Sequence, residues 1–427
     1  MKKVNLIDIL EKVIMLLCIL IFFANGNILT KYLAAFQYLI LFFSILYCFF
    51  QTKIKTNLVW VLWLLVIIYF ALGIVYSYNV KGTISMLKMY VCFFPLLLCN
   101  FDKKKLIKFF EILEAVIIVG AISIIASVLI DKFILNYFSF FITTDPYRIL
   151  SELREFSFSG LFAEKGNAAF MLNIGIGIIV SKFLSIKKMK FATILELLLF
   201  IVALIFTNKR ALLVFPVLIF AIIYVFMRDK NKAIKIIKMA VIGCVILIAL
   251  LKIFPVMGSV FERFVTDDDN HRSELREICL QMYDRNNIVG MGLNSYNKYA
   301  YDIGFRLYIA GTKNGIWIYH AHNIYYQILA EGGLIGLLLV VFTFCYSIYK
   351  TIRILMVNND MSNDRKRLII ISLFIQLLFV LYGWTGNTFY YYQQVLIYFV
   401  SLLILIGEIN YRKEKTIDEK LLEKEAV

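Results

Sequence analysis

Apolar runs of about 20 residues, long enough to cross a bilayer, recur along the whole chain and leave it few folds. Twelve can be marked, roughly 8–25, 32–50, 58–77, 83–100, 112–131, 161–183, 191–207, 211–227, 234–254, 323–349, 367–385 and 388–409. Lipid offers no partner for a backbone N–H or C=O, so a spanning segment must satisfy them within itself, as a helix does. A membrane β-barrel would instead show short alternating segments. The sequence therefore predicts an all-α polytopic membrane protein with about 12 transmembrane helices. Met1–Lys3 and the apolar stretch after them resemble a signal peptide. The run is long and no small-residue cleavage site follows, so an uncleaved first helix is expected.

The charge of +16 is explained by its placement. With the N-terminus in the cytoplasm, 27 of the 45 Lys and Arg fall on the cytoplasmic side, whereas the short opposite loops carry only Lys31, Lys81, Lys209 and Arg210. This is the positive-inside pattern. It puts both termini in the cytoplasm and leaves no support for a nucleic-acid partner. The seven cysteines show neither CxxC nor framework spacing, so neither disulfides nor zinc are indicated.

Two long segments, 132–160 and 255–321, fall on the outer side. The second mixes eight acidic with seven basic residues, and the three histidines lie in it or at its end. In "HRSELREICLQMYDR", Leu275, Ile278, Cys279, Met282 and Tyr283 repeat as one helical face, with Arg272 and Arg276 along its flank. This is expected to be an amphipathic helix lying in the membrane interface with its arginines at phosphate depth. The chain divides into 1–160, N-terminal helices and first outer loop; 161–349, a core including the loop 255–321; 350–410, C-terminal helices; and 411–427, a charged cytoplasmic tail.

The stretch "YHAHNIYYQILAEGGLIG", 319–336, places His320, His322 and Asn323 at the mouth of a long apolar run, where a polar ring is costly unless used. On one continuous helix His322, Tyr326, Gly333 and Gly336 would share a stripe. Alternatively, Gly332-Gly333 breaks the helix, and in both cases glycine admits another backbone close to the histidine's helix. If the segment is helical, His320 points away from His322. Lys209 and Arg210 in "TNKRALLVF" sit on the side the charge rule disfavours, as exposed outliers or with Arg210 facing a water-filled, anion-binding cavity. Glu164–Lys165 reads as a rim pair. Gly175 and Gly177 suit close helix packing. Asp267–Asp269 reads as a solvated run, and Glu196 as a buried carboxylate with an unknown partner. Arginine forks suit phosphate oxygens and histidine can take a proton near neutral pH, a combination suited to transfer chemistry on a phosphate-bearing lipid. A transporter or flippase is the rival class, but the unusual residues gather outside rather than at the midplane.

These motifs carry a resemblance. "HNIYYQILAEGGLIG" looks like the His-Asn…Glu-x-Gly-x-x-Gly block of the O-antigen ligase/polymerase family. "GLFAEKGNAAF", "TNKRALLVFP" and "HRSELREICLQMYDRNNIVGMGLNSY" resemble its other motifs, in the family's order over about 160–340. Asn208-Lys209 stands where the family usually has a small residue. The resemblance implies a metal-independent inverting glycosyltransferase without cofactor, in the bacterial cytoplasmic (inner) membrane with its active site extracytoplasmic. Its donor would be an undecaprenyl-diphosphate-linked glycan and its acceptor another glycan, lipid-linked for a polymerase of surface polysaccharide or lipid A-core for a ligase. Carried over by position, Arg210 and Arg272 would hold the diphosphate and His322 would serve the acceptor hydroxyl. Arg276 would assist by helix geometry, and Asn323, His320, Gly333 and Gly336 would line the substrate site.

Overall fold

The computed structural model describes residues 6–51, 57–143, 150, 152–153, 155–185, 190–227, 272–305, 320–357 and 361–425. Among them the regular elements are helices: α1 (Leu6–Phe23), α2 (Leu33–Phe50), α3 (Leu58–Leu72), α4 (Val80–Phe93), α5 (Lys103–Leu129), α6 (Phe133–Phe138), α7 (Lys165–Ser185), α8 (Phe191–Phe206), α9 (Arg210–Phe226), α10 (Arg272–Arg285), α11 (Tyr296–Asp302), α12 (Ile324–Val357), α13 (Asn363–Gly383) and α14 (Tyr392–Glu425).

Eight segments are long and apolar enough to span a membrane, and they make this a multi-pass membrane protein: Ile28–Phe50, Leu58–Tyr76, Val80–Leu98, Lys103–Leu129, Lys165–Ser185, Ile324–Val357, Asn363–Gly383 and Tyr392–Arg412. Eight of the expected twelve are thus seen among the described residues. At 16 and 17 residues, α8 and α9 are shorter apolar helices, of about 25 Å, and α8 runs from the ion-pair end of the bundle to the other. Helix α1 packs Asp8, Glu11 and Lys12 into 18 residues. The run 234–254 lies outside the described residues, as does most of the loop 255–321.

Burial orders the bundle. In the spans of α13 and α14, 83% of the residues are buried, against 28% in the span that holds α2, so α13 and α14 are central and α2 peripheral. Gly177 lets α7 approach α13 so closely that a Cβ there would come within 2.5 Å of the Phe374 ring, and Gly175 does the same against Phe200 of α8 at 2.6 Å. The packing expected of these two glycines is what they do. A buried polar chain ties the middle layer: Gln376 Nε2 donates to Ser372 Oγ at 2.9 Å, and Ser372 Oγ donates to the Ser401 carbonyl at 2.7 Å.

The bundle has two unlike ends. One carries ion pairs: Lys105 with Asp8 and Glu11, Lys182 with Glu114 at 2.6 Å, Arg365 and Arg412 with Glu408. Glu196 finds its partner here, with Lys182 at 4.0 Å. At the other end α7, α9, α12 and α14 begin and α8 and α13 finish, and the turns that join them face one another.

Candidate functional site

The site is built on the start of α12. Asn323 is the cap: its Oδ1 accepts from the N–H groups of Tyr325 (3.0 Å) and Tyr326 (3.2 Å), the role for which asparagine is favoured at this position. One residue earlier, His322 has φ +53°, a left-handed conformation that side chains other than glycine rarely adopt. It costs about 1–2 kcal/mol and persists only where neighbours over-determine it. They do so here. Buried Ala321 donates its N–H to Gln327 Oε1 at 3.1 Å, and Gln327 Nε2 lies 3.3 Å from His320 Nδ1 and 3.0 Å from Glu331 Oε1. Buried Glu331 also accepts from the N–H groups of Asn294 (2.6 Å) and Tyr296 (3.0 Å) and from the Tyr390 hydroxyl (2.7 Å). Four donors on one carboxylate lock the 294–296 turn, the α13–α14 turn and the histidine turn together.

His322 is therefore not on a helix, and the stripe of His322, Tyr326, Gly333 and Gly336 does not form. The chain takes the alternative course, a break at Gly333 (φ +62°, ψ −168°). The break exposes backbone groups of α12 to outside partners. Met291 and Gly292 donate to the Ala330 and Glu331 carbonyls (3.1 and 2.8 Å), while Leu334 and Ile335 donate to the Asn287 and Ile288 carbonyls (2.9 and 3.2 Å). A Cβ on Gly333 would stand 2.3 Å from the Ile288 carbonyl oxygen, and one on Gly336 would stand 2.9 Å from the Tyr69 ring. Both glycines are occupied by protein. The structure gives them a packing role.

The interfacial helix exists as α10, but its apolar face does not lie in lipid. Leu275, Ile278, Cys279 and Met282 are buried in a small core with Met291, Tyr296, Tyr299, Ala321 and Ala330, so α10 is docked onto the start of α12. Docking carries Arg272 to His322. Burial first, then the charges of Lys209 and Arg272, lower the His322 pKa to about 4. His322 is itself exposed. Lys209 is half-buried in the α8–α9 turn, after Asn208 with φ +55°. Burial lowers its pKa, with the Lys165 and Arg272 charges adding and Glu164 and Glu155 opposing. Among the described residues, no ion pair within salt-bridge distance includes Lys209 or Arg272. Arg210 follows as the first residue of α9 and is half-buried, as is Arg276, whose Nε donates to the Arg272 carbonyl at 3.2 Å.

Other residues fall differently from expectation. Lys165 pairs with Glu155 and not with Glu164, which correct the rim pair. Glu164 instead accepts from Asn25 Nδ2 at 3.5 Å and stands near Lys209. His320 packs between Tyr390 and Tyr391, with ring centroids at 5.0 and 5.8 Å. Burial pushes its pKa down to about 3. Asp267–Asp269 lie outside the described residues, among which no three His, Cys, Asp or Glu gather as metal ligands.

Sequence reasoning passed over Lys209 as a departure from pattern, gave Glu331 and Gln327 no role, and missed Asn387. The last lies in the α13–α14 turn, 3% exposed, with Nδ2 3.4 Å from His322 Nδ1. The signal for it was "TGNTFYYYQQ", a polar run between two apolar spans on the same side as the histidines.

A comparison with curated proteins finds no match. Residues 195–341 match a family model described as O-antigen ligase. That stretch contains Lys209, Arg210, Arg272, His322 and Glu331. That stretch is thus similar to the O-antigen ligase domain of membrane enzymes that act by glycan transfer.

Proposed function

We propose that this protein is an inverting, metal-independent glycosyltransferase that polymerises repeat units of a surface polysaccharide carried on undecaprenyl diphosphate. It works on the extracytoplasmic side of the bacterial cytoplasmic membrane, with both termini inside. The observation that carries this reading is His322 beside Lys209 and Arg272, two cations without a carboxylate at salt-bridge distance among the described residues. Lys209, half-buried and without a carboxylate at salt-bridge distance, favours an anion, and the exposed guanidinium of Arg272 matches phosphate oxygens. Lys209, Arg272 and Arg210 would neutralise the donor's diphosphate, the work a metal ion does elsewhere.

His322 would then take the proton of the acceptor hydroxyl as its oxygen attacks the anomeric carbon. The bond from that carbon to phosphate oxygen breaks on the opposite side, and undecaprenyl diphosphate leaves with the electron pair. With burial and the two cations acting on it, His322 is a weak base. An incoming diphosphate offsets the two charges that help to depress it and raises its basicity when the acceptor must be activated. Positioning and charge neutralisation supply much of the rate.

The test is synthesis by purified protein in detergent, given a lipid-linked repeat unit as both donor and acceptor. A ladder of products that persists in EDTA is expected; loss of turnover restored by Mg²⁺ or Mn²⁺ overturns metal independence, and no glycosidic bond formed in any condition overturns the reading. The ligase alternative rests on the description of the matched domain. Lipids of a deletion strain separate the two, since loss of a polymerase leaves single repeats on the carrier and loss of a ligase leaves finished polymer there.

A further inference from the structure

We propose that Asn387 is a positioning residue that holds the proton of neutral His322 on Nδ1, so that Nε2 is the bare nitrogen that takes the acceptor's proton. The inference rests on the reading of His322 as the base. It concerns a residue outside the matched stretch 195–341.

The geometry starts from the rigid placement of the amide. Thr388 Oγ1 donates to the Phe379 carbonyl at 3.0 Å, and the Tyr390 N–H donates to the Asn387 carbonyl at 2.9 Å. Gly383 brings the end of α13 against α12: a Cβ there would lie 2.4 Å from Ile324, two residues after His322. The Asn387 side chain is thus fixed against the imidazole, with the nearest contact on Nδ1.

An imidazole acting as a base needs one bare nitrogen and one that carries the proton, and the partner of the second decides which is which. With Nδ2 toward the ring, Asn387 would donate to Nδ1. Nε2 would then carry the proton and could accept none. The amide is nearly symmetric in shape, and turning it end for end puts Oδ1 at the same place. Oδ1 then accepts from Nδ1–H. When Nε2 takes the acceptor's proton, the ring becomes a cation and the Nδ1–H···Oδ1 bond strengthens; the proton later passes to solvent. The other charged groups around the ring are Lys209 from the α8–α9 turn, Arg272 from α10 and, beside Lys209, Glu164. His320 precedes it on the same segment and is electrostatically coupled to it. Among these only Asn387 has a described hydrogen bond to His322.

The test uses the full-length protein in nanodiscs. Three histidines make selective ¹⁵N-histidine spectra tractable, with His322 identified by its loss in His322→Ala. At pH 7 the wild-type His322 signal should show Nδ1 protonated and Nε2 bare, and Asn387→Ala should shift it toward the opposite tautomer. Asn387→Ala should lower kcat about 10- to 100-fold with donor KM little changed. Asn387→Asp is the discriminating variant. A carboxylate only accepts, so it holds the same tautomer and should keep most of the turnover, while the acid limb of kcat/KM moves to higher pH. If wild-type His322 carries its proton on Nε2, or if Asn387→Asp is as impaired as Asn387→Ala, the proposal is overturned. Failure of the underlying reading looks different: His322→Ala would keep its turnover whatever the spectra show.

Discussion

The two ends of the bundle use the same residue types to opposite effect. At one end Lys105, Lys182, Arg365 and Arg412 each lie against a carboxylate. At the other, Lys209 and Arg272 crowd an imidazole, with no carboxylate at salt-bridge distance among the described residues. A paired charge is already satisfied and contributes to topology and cohesion. A cation without a carboxylate at salt-bridge distance keeps its field for its surroundings, and here it depresses the imidazole beside it. Counting lysines and arginines along the chain cannot separate these roles; their partners do.

The comparison can be broken most directly at His322. A positioned base contributes about 10²–10⁴-fold, so His322→Ala should lose turnover on that scale while still binding the lipid-linked donor, measured in parallel. A folded variant with near-normal turnover would remove the base from the reading. Next come the cations. Charge-assisted bonds contribute about 1.5–3 kcal/mol, so Lys209→Ala and Arg272→Lys should each weaken donor binding on the order of 10- to 100-fold, and more at low salt than at high. Arg210→Lys is expected to behave like Arg272→Lys. Donor titrations that leave either arginine variant unchanged would return that residue to a surface role.

The pH profile sharpens the contrast. His322 must be neutral to act, so rate is lost as pH falls through its pKa. With that pKa near 4, the acid limb of kcat/KM should lie near 4 and not near 6.5. Bound diphosphate offsets Lys209 and Arg272, so the limb in kcat should lie at higher pH than the limb in kcat/KM. Coincident limbs would mean that the cations do not hold the donor. His320→Ala should be milder than His322→Ala, since that ring is spent on Tyr390, Tyr391 and Gln327; a reversed ranking in the same assay would exchange their roles. At the paired end, Glu408→Gln should leave kcat of the folded enzyme unchanged. It removes the carboxylate that Arg365 pairs with, and breaking a buried pair costs about 3–5 kcal/mol, a drop to be read as lower thermal stability in detergent. Glu408 sits at a side-chain exposure of 4% but Arg365 at 16%, so the lower part of that range is expected.

Much of the fold was legible because its causes are local. A run of apolar residues must become a helix in lipid whatever surrounds it, and the face of α10 could be counted off at 100° per residue. The block from His322 to Gly336 was visible as polar residues and paired glycines where lipid tolerates neither. The rest depended on residues far apart in sequence. Whether Gly333 continued or broke the helix was decided by the 287–292 segment crossing it, because only an outside partner could satisfy the freed N–H and C=O groups. Whether α10 lay on lipid or protein was decided by Tyr296 and Ala330, which offer its apolar face a drier site. Lys209 became part of the site because the α8–α9 turn packs toward α10, and Asn387 because Gly383 lets α13 close on Ile324. By itself the sequence determined that the chain crosses a membrane many times and bears a histidine at the mouth of one crossing. Only the tertiary structure decided which cations and which amide stand beside that ring, because pKa and tautomer depend on distances through space.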